Sequence, residues 1–531
     1  MAAQPLIPVT PSTMKELKDT LWKAADKLRG SMDASQYKDV ILGLVFLKYV
    51  SDAFSERQQA IRAELEAEGG YTEDDIEATL EDRDEYTGAQ VFWVPEQARW
   101  QYLADHAKGT DSATVGELIN EAMKLIMDDN PGLAGTLPRT YNREAVDQRR
   151  LGELVDLFNG AQFSGQGANR ARDLLGEVYE YFLEKFARAE GKRGGEFYTP
   201  ASVVRVLVEV LEPTSGRVYD PCCGSGGMFV QAEKFLEAHG REGSDLSVYG
   251  QELNERTWRM AKMNLAIHGI TGNLGPRWGD TFARDLHPDL RADYVMANPP
   301  FNIKDWARRE DDARWRFGVP PVKNANYAWM QHIISKLAPG GSAGVVMANG
   351  SMSTTTGGEG DIRAQLVEGD LVSCMVALPT QLFRSTGIPV CVWFFAMDKG
   401  AGRKGSTDRR GEVLFIDARN LGHMIDRAER AFSDEDIAKI AGTYHAWRGS
   451  ASAEGVAYED EPGFCKSATL AEIKAAGYAL TPGRYVGSAA EADDGEPLEE
   501  KIERLTNELL AQFEESARLE QVVREQLGRV K

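Results

Sequence analysis

A short apolar stretch that stops at two consecutive prolines constrains this chain more than any other feature. Residues 291–297 have the pattern of a buried strand, and the next four residues are Asn298, Pro299, Pro300 and Phe301. Proline fixes φ and lacks a backbone N–H, so the strand cannot continue, and the residue before the first proline is held extended. We therefore expect Asn298 on a stiff loop at the carboxyl end of a strand, where open α/β sheets place their ligands.

The four residues of this loop suit chemistry on an amino group that is conjugated to a ring. Such an amine, for example the exocyclic amine of adenine, is a poor nucleophile because its lone pair is delocalised. The side-chain oxygen of Asn298 and the carbonyl of Pro299 could accept both amine hydrogens and favour a tetrahedral, nucleophilic nitrogen. Phe301 offers a face on which an unstacked base could rest. An ordinary proline turn after a strand is the alternative.

Length and charge limit the classes of protein to which the chain can belong. Its 531 residues are too many for one core and predict two to four domains, and an apolar content of 42% suffices for globular folding. A formal net charge of −21 argues against a protein that grips nucleic acid over its whole surface. If DNA is the substrate, a local basic groove or a partner must bind its phosphates.

Cysteine usage and the motifs that are missing narrow the compartment and the chemistry. The five cysteines include the adjacent pair Cys222 and Cys223 but no Cys-x-x-Cys, which predicts a reducing cytoplasm and neither a disulfide scaffold nor a metal site. The most apolar run, Val40–Leu47, is far shorter than the roughly 20 residues of a membrane span, so no contact with a membrane is expected. The sequence has no Gly-Lys-Ser/Thr P-loop, so an ATP-driven motor is not expected either.

Periodicity divides the chain into four segments. Helical spacing recurs up to about residue 165, a βα alternation follows, and apolar residues from Leu498 to Val523 recur at three-four spacing. These patterns predict an N-terminal helical domain over 1–165, an α/β domain over 166–420, a mixed region over 421–495 and a terminal amphipathic helix over 496–531. A terminal helix of this kind is expected to dock on another protein.

The βα alternation carries a candidate cofactor site. A strand ending at Asp220 leads into the glycine-rich loop 221–227, where a ligand can approach the backbone ahead of a helix N-terminus. A second strand ends just before Glu252, which is placed to accept hydrogen bonds from ribose hydroxyls. A third strand is predicted to end at Asp280, whose carboxylate could accept a hydrogen bond from an adenine amino group.

This order of residues distinguishes between two cofactors. A glycine loop without a second phosphate clamp, followed by an acid for ribose, suits S-adenosylmethionine, whereas a nicotinamide enzyme would favour the spacing Gly-x-Gly-x-x-Gly. Ahead of the first strand, the aromatic pair Phe197 and Tyr198 lies between two glycines and a predicted helix start at Thr199. That pair lines a small-molecule pocket or forms a packing elbow.

A long insertion follows the proline loop. Residues 302–324 interleave basic and aromatic side chains, namely Lys304, Trp306, Arg308, Arg309, Arg314, Trp315, Arg316 and Phe317. This composition suits contact with DNA phosphates and bases. The alternative is a loop that is salt-bridged internally by its own acidic residues, Asp305, Glu310, Asp311 and Asp312.

Taken together, these motifs resemble the modification subunit of type I restriction-modification systems. The likeness spans residues 37–49, 194–200, 220–227, 298–301 and 480–486. The aromatic segment comes before the glycine loop and Asn-Pro-Pro-Phe comes after it, an order similar to the gamma arrangement of adenine-N6 DNA methyltransferases. The resemblance implies a Rossmann-like α/β methyltransferase sheet with an N-terminal helical domain and a C-terminal helical tail.

The resemblance also implies roles for individual residues and partners. Asn298, Pro299, Pro300 and Phe301 would hold the target adenine. S-adenosylmethionine would be bound by Glu196, Phe197, Tyr198, Thr199, Pro200, Asp220, Pro221, Cys222, Cys223, Gly224, Ser225, Gly226, Glu252 and Asp280. DNA, a specificity subunit that reads the sequence, a restriction subunit and a second copy of this chain are the partners implied.

Other functions stay open at this point. Asn-Pro-Pro also occurs in methyltransferases that act on RNA or on protein glutamine. A scaffold that keeps the fold without turnover is a non-enzymatic alternative, and a nucleotide-dependent dehydrogenase is disfavoured by the spacing of the glycine loop.

Overall fold

The computed structural model describes most of the chain. It covers residues 11–26, 34–110, 112–160, 170–190, 199–240, 245–383, 389–402 and 404–488, and, further on, 502, 506, 507, 509–514, 516, 518–521 and 523. The helices are α1 (Pro11–Asp26), α2 (Ala34–Glu68), α3 (Glu73–Leu80), α4 (Asp84–Thr87), α5 (Trp100–Asp105), α6 (Val115–Asp129), α7 (Gln148–Gly160), α8 (Arg170–Glu190), α9 (Ala201–Leu211), α10 (Gly227–Ala238), α11 (Glu255–Ile267), α12 (Asn326–Lys336), α13 (Glu359–Glu368), α14 (Asp434–Arg448) and α15 (Leu470–Ala475).

The strands are β1 (Gly216–Asp220), β2 (Leu246–Gly250), β3 (Gly272–Asn273), β4 (Ala292–Ala297), β5 (Leu337–Ala348), β6 (Val372–Ala377), β7 (Val390–Ala396), β8 (Glu412–Asp417), β9 (His423–Met424), β10 (Arg430–Ala431) and β11 (Cys465–Thr469). Nine of them form one sheet in the order β11-β8-β6-β7-β5-β4-β1-β2-β3. Strands β9 and β10 form a separate hairpin.

The nine-stranded sheet confirms the predicted Rossmann-like α/β fold. Parallel pairing joins β3 to β2, β2 to β1, β1 to β4 and β4 to β5, whereas β7 runs antiparallel between β5 and β6. Strand β8 is again parallel to β6. Within the nine-stranded sheet, the carboxyl ends of all strands except β7 and β11 therefore reach the same edge, where open α/β sheets bind their ligands.

Two expectations about strands need correction or extension. The third strand was predicted to end at Asp280, but β3 ends at Asn273, and irregular backbone carries the chain from there to Asp280. The α/β domain was predicted to end at residue 420, but the sheet includes a later strand. Strand β11 pairs antiparallel with β8, from Cys465 opposite Ile416 to Thr469 opposite Glu412.

The N-terminal region is helical, as predicted, and its centre is α2. Residues 40–51 of α2 are buried on every side, because apart from Lys48 and Ser51 the sequence there has no polar side chain and the helix is surrounded by the others of the bundle. The described residues between 502 and 523 are also helical, in agreement with the predicted C-terminal helical tail. None of the helices in the described part of the chain combines the length and the apolar character that crossing a bilayer requires.

Two helices join the N-terminal bundle to the sheet. Helix α8 packs along α2, and α11 contributes Met260, Met263 and Ile267 to the core of the bundle. The opposite side of α11 contributes Trp258 and other residues to the core beneath the sheet. The hydroxyl of Tyr179 on α8 donates to the carbonyl of Met260 at 3.3 Å. The bundle and the sheet therefore share α11 as a common wall.

Close helix packing in the bundle gives the first testable prediction. A Cβ atom on Gly152 of α7 would lie 2.2 Å from the carbonyl oxygen of Ala107, whereas one on Gly442 of α14 would meet no atom within 4 Å. We expect Gly152→Ala to lower the free energy of unfolding by about 1–3 kcal/mol, because the backbone of α7 or of Ala107 must move to make room for the methyl group. Gly442→Ala is the matched control and should raise it by about 0.5–1 kcal/mol. Thermal unfolding followed by circular dichroism measures both, and equal stability of the two variants would contradict the packing described.

Candidate functional site

A cavity opens where the order of the strands reverses. From β1 the chain moves outward to β2 and β3 and then returns to the other side of β1 as β4. Loops leaving β1 and β4 must diverge there, and ligands bind in such crevices of open α/β sheets. The cavity measures about 450 Å³, which lies within the range of about 300–1,000 Å³ that is typical of cofactor sites.

The glycine loop after β1 forms the floor of this cavity. Its turn needs left-handed backbone at Gly224, with φ of 55°, and at Gly226, with φ of 81°, and glycine adopts such values without strain. The backbone N–H of Cys223 donates to the carbonyl of Gln251 at 2.9 Å, which ties the loop to the end of β2. Helix α10 then begins at Gly227.

Two buried carboxylates flank the glycine loop. Asp220 accepts a hydrogen bond from the N–H of Cys222 at 2.9 Å. Glu252 accepts from the N–H of Gly224 at 3.1 Å and from the N–H of Asn254 at 2.8 Å. Burial raises the pKa of Asp220 to about 7, against the opposing effect of its hydrogen bonds, and burial likewise raises the pKa of Glu252. A positively charged ligand in the cavity would therefore stabilise the ionised form of both carboxylates.

The charge of the whole cavity wall points the same way. Among the described residues that line it there is no lysine, arginine or histidine, but there are six acidic residues: Glu180, Asp220, Glu252, Glu255, Asp280 and Asp305. A wall of this charge repels phosphate groups and attracts cations. The described wall therefore fits a sulfonium cofactor better than a nucleotide phosphate.

The loop that carries Asp280 is held by a residue that the sequence analysis missed. Gln251 is fully buried, its Nε2 donates to the carbonyls of Gly279 at 3.0 Å and Arg284 at 2.8 Å, and its Oε1 accepts from the N–H of Leu286. Asp280 itself accepts from the N–H of Phe282 at 2.8 Å. The signal available in the sequence was a polar residue at a buried strand end, directly before Glu252.

Arg314 of the insertion supports the same loop. Its guanidinium donates to the carbonyls of Thr281 and Phe282, both at 2.9 Å, and to Asp312 at 2.9 and 2.6 Å, and it lies 3.1 Å from Nδ1 of His332. His332 is buried and its ring also contacts the hydroxyl of Tyr219 at 3.2 Å. Burial, with the nearby Arg314 charge, lowers the pKa of His332 to about 3. The imidazole is therefore neutral and accepts from Arg314.

The insertion 302–324 is braced internally at several of its basic residues. Arg308 donates to the carbonyl of Pro320 and to Glu310, and Arg309 lies near Asp312. Trp306 and Trp315 pack with Phe282 and Trp329 in a small aromatic cluster. The salt-bridged alternative is therefore the better description of Arg308 and Arg314, whereas Lys304 and Arg316 are exposed.

Asn298 lies on the cavity wall at the end of β4, next to Thr199. Its Nδ2 donates to Oγ1 of Thr199 at 3.0 Å. Its Oδ1 is buried and has no hydrogen-bond partner within the part of the chain that the structure describes. A buried carbonyl oxygen without a donor costs free energy, which a ligand that donates a hydrogen bond there would recover.

The other predicted site residues divide into three groups. Pro300 lies on the cavity wall, as do Thr199, Asp220, Pro221, Cys222, Cys223, Gly224, Ser225, Glu252 and Asp280. Pro200, Gly226, Pro299 and Phe301 are not among the residues that line the cavity. The ring of Phe301 instead contacts that of Phe383 edge-on at 6.5 Å. Glu196, Phe197 and Tyr198 lie outside the described residues.

Comparison with known proteins identifies relatives over nearly the whole chain. A family model described as N-6 DNA Methylase matches residues 170–494, and one described as HsdM N-terminal domain matches residues 17–158. The chain is 48% identical to the type I restriction enzyme HindI methylase subunit of Haemophilus influenzae over 452 residues, which cover 82% of this chain and 99% of that protein. It is 39% identical to the MjaIX methylase subunit of Methanocaldococcus jannaschii over 523 residues, or 96% and 90% of the two chains.

A solved structure shares the fold. The type I restriction-modification system methyltransferase subunit from Streptococcus thermophilus superposes with a TM-score of 0.71 at 24% identity, covering 89% of this chain and 99% of that one.

The buried acid beside the glycine loop predicts a specific pH dependence. Because the folded-state pKa of Asp220, about 7, lies above the ordinary value of 3.8, this group favours the folded state below the ordinary value and loses that contribution as the pH rises through 7. Asp220→Asn removes the ionisation and keeps an acceptor for the N–H of Cys222. Relative to wild type, we expect it to gain up to about 4 kcal/mol in free energy of unfolding at about pH 8 and little near pH 4. Thermal melts across this range measure the difference, and a constant difference would refute burial of the charge.

Arg314 predicts a link between the insertion and cofactor binding. Arg314→Lys replaces a planar fork by a single ammonium that cannot reach all of the acceptors, so the carbonyls of Thr281 and Phe282 lose their donor. We expect the dissociation constant for S-adenosylmethionine, measured by calorimetry, to rise about tenfold. Arg316→Lys, at an exposed position in the same insertion, is the control and should leave it unchanged. An unaltered constant in Arg314→Lys would show that the support is not needed.

Proposed function

The chain belongs to the methylase subunits of type I restriction enzymes, which are N6-adenine DNA methyltransferases, and from this premise we propose how its site works. It transfers the methyl group of S-adenosylmethionine to N6 of a single adenine in duplex DNA. The adenine is flipped out of the helix, because N6 cannot reach an enclosed site while its base is stacked and paired. A separate specificity subunit selects the DNA sequence.

The charge of the cavity supports this cofactor. S-adenosylmethionine supplies, when bound, a methyl group on a positively charged sulfonium. Burial raises the pKa values of Asp220 and Glu252, and a bound cation would stabilise their ionised forms. The described wall offers no basic side chain for a phosphate. Glu252 would accept from the ribose hydroxyls, and Asp280 from the adenine amino group of the cofactor.

The unpartnered Oδ1 of Asn298 is the observation that carries the proposal for the target base. With Nδ2 engaged by Thr199 at 3.0 Å, the oxygen is fixed as an acceptor and needs a donor. An amino group donates two hydrogens, and the carbonyl of Pro299, which accepts no hydrogen bond from the described residues, is available for the second. Two acceptors pull the nitrogen towards a tetrahedral geometry with a localised lone pair, so no strong base is required.

Charge also supports a division of labour between subunits. The chain carries a net charge of −21, and several basic residues of its insertion are already bound to acids or carbonyls. Most of the contacts with DNA phosphates are then made by a partner. We assign that role to the specificity subunit, with a restriction subunit and two copies of this chain in the full complex.

The C-terminal helix provides a surface for such a partner. Its described residues expose a series of large apolar side chains, Ile502, Leu509, Leu510, Phe513, Leu519 and Val523. Apolar side chains at helical spacing are a common basis for helix-to-helix docking. We propose that this face binds the specificity subunit.

Methyl transfer to protein glutamine or to RNA is the alternative with similar chemistry. The family supports DNA, and incubation with a methyl-tritiated cofactor decides between the polymers, since only the true substrate becomes labelled.

Substitution of Asn298 tests the proposed acceptor. We expect Asn298→Ala to lower the methylation rate of the assembled complex by about 100-fold or more, because transition-state hydrogen bonds of this kind contribute about 10²–10³ in rate. Cofactor affinity should change by less than about threefold, since the lost oxygen faces the target base rather than the cofactor.

The matched control is an asparagine at another strand end. Asn273 closes β3, and its oxygen accepts from the N–H of Gly275 outside the cavity wall. Asn273→Ala should keep the wild-type methylation rate. Wild-type turnover by Asn298→Ala would remove the residue from the mechanism.

A further inference from the structure

A stiff hairpin rises from the same edge of the sheet as Asn298 and carries two neighbouring exposed apolar side chains. It comprises residues 421–432, follows β8 and contains β9 and β10. Met424 is 42% exposed and Ile425 is 55% exposed. Single exposed apolar residues are ordinary, but an adjacent pair at the tip of a projecting hairpin suggests a binding surface.

Hydrogen bonds make the hairpin rigid. Met424 pairs with Arg430, and the N–H of Ile425 donates to the carbonyl of Glu429 at 2.9 Å. The turn is closed by the N–H of Ala428, which donates to Oδ1 of Asp426 at 2.7 Å. A rigid support lowers the entropy lost when the apolar pair enters another structure.

The base of the hairpin is joined to the loop between β6 and β7, and that loop contacts Phe301. The N–H of Arg430 donates to the carbonyl of Gln381 at 2.9 Å. Phe432 and Phe383 lie in one buried cluster, and Phe301 packs against that cluster with its ring 6.5 Å from that of Phe383. The hairpin is therefore linked, through the loop between β6 and β7, to the residues that would hold the target base.

We propose that Met424 and Ile425 form a wedge that enters the DNA stack next to the target adenine and stabilises the flipped state. This inference rests on the proposed function, because it assumes that a base leaves the duplex. Flipping a base costs a few kcal/mol in lost stacking and pairing. Methionine and isoleucine are among the side chains that proteins insert between base steps, where they replace lost stacking contacts.

The surroundings of the pair favour DNA as the occupant. Arg427 is exposed on the same hairpin, which also carries the acids Asp426 and Glu429. An arginine beside an apolar wedge suits the phosphates that flank a base step.

Strands β8 and β4 end at the same edge of the sheet but are four strand spacings apart, roughly 19 Å. The loop between β6 and β7 bridges this gap, since the carbonyl of Gln381 accepts from Arg430 of the hairpin and the ring of Phe383 contacts that of Phe301. A DNA duplex whose adenine lies against Asn298 would thus run close to the hairpin tip.

The test uses the assembled complex with its specificity and restriction subunits and two duplexes of the same sequence. In one duplex the target adenine faces thymine, and in the other it faces an abasic site, so that no pairing has to be broken. For the double variant Met424→Ala/Ile425→Ala we expect the single-turnover methylation rate on the paired duplex to fall about tenfold or more. On the abasic duplex the rate should fall less and stay within about threefold of wild type, because the pairing part of the flipping cost is absent and only the stacking part remains for the wedge to offset.

Two further variants keep the test sharp. Met424→Leu/Ile425→Leu retains apolar volume and should keep near wild-type rates on both duplexes. Val456→Ala alters another exposed aliphatic residue, 60% exposed in the loop between α14 and β11, and should change neither rate.

Several outcomes would overturn the inference. An unchanged rate on the paired duplex, or an equal loss on both duplexes, would exclude a role in flipping. Loss of complex assembly in size-exclusion chromatography would show that the hairpin binds a protein subunit instead. If the wild-type complex methylates neither duplex, the proposed function itself fails, and the inference fails with it.

Discussion

The reversal of strand order at β1 is the constraint on which the rest of the molecule depends. Because β2 and β4 pair with opposite edges of β1, the loops that follow β1 and β4 separate and leave a crevice between them. Asp220 and Asn298 stand on either side of that crevice only because Val218 pairs with Tyr294 and Tyr219 with Val295. Each of these pairs is in register, and a shift of one residue would turn every side chain on β4 to the opposite face. The placement of acid, glycine loop and amide acceptor is thus a property of the sheet, which no single loop could maintain alone.

The shared helix α11 extends this constraint to the N-terminal bundle. One face of α11 packs in the core of the bundle and the other packs beneath the sheet, and its N-terminal neighbours, Glu252 and Asn254, belong to the cavity wall. Glu180 on α8 reinforces the joint, since it accepts from Lys234 and lies 2.9 Å from His268. Burial opposes ionisation of Glu180, but the hydrogen bonds to His268 and Lys234, with the charge of Lys234, lower its pKa to about 2, so this carboxylate is charged at neutral pH. The core of the bundle and the wall of the cavity therefore meet at a single helix.

The sequence was sufficient where local signals agree, and it failed where the structure depends on distant side chains. Strands β1, β2 and β4 were predictable because each is a short apolar run bounded by glycine, an acid or proline. The end of the third strand was predicted too late in the sequence. Strand β3 pairs with β2 at only two positions, Gly272 with Val248 and Asn273 with Tyr249. The loop beyond β3 is held by the side chain of Gln251 instead. Edge strand β11 is polar at Lys466 and Ser467, so its pairing with β8 has no local signature. Nor could any pattern show that Thr199 fixes the amide of Asn298 across 99 positions of sequence.

The acidic charge of the cavity and of the whole chain affects the binding of both the cofactor and DNA. The acidic residues around the cavity favour a cation and disfavour phosphate groups, although nucleotide sites use the same position in open α/β sheets. The net charge of −21 also disfavours contact with DNA phosphates over the whole surface of the chain, which is why the proposed function assigns most of these contacts to a partner. In the proposed function, this chain contributes uncharged groups near the duplex: the amide of Asn298, the carbonyl of Pro299 and apolar or aromatic side chains. Such groups would act on one base once a partner has positioned the duplex, without competing with that partner for the phosphates.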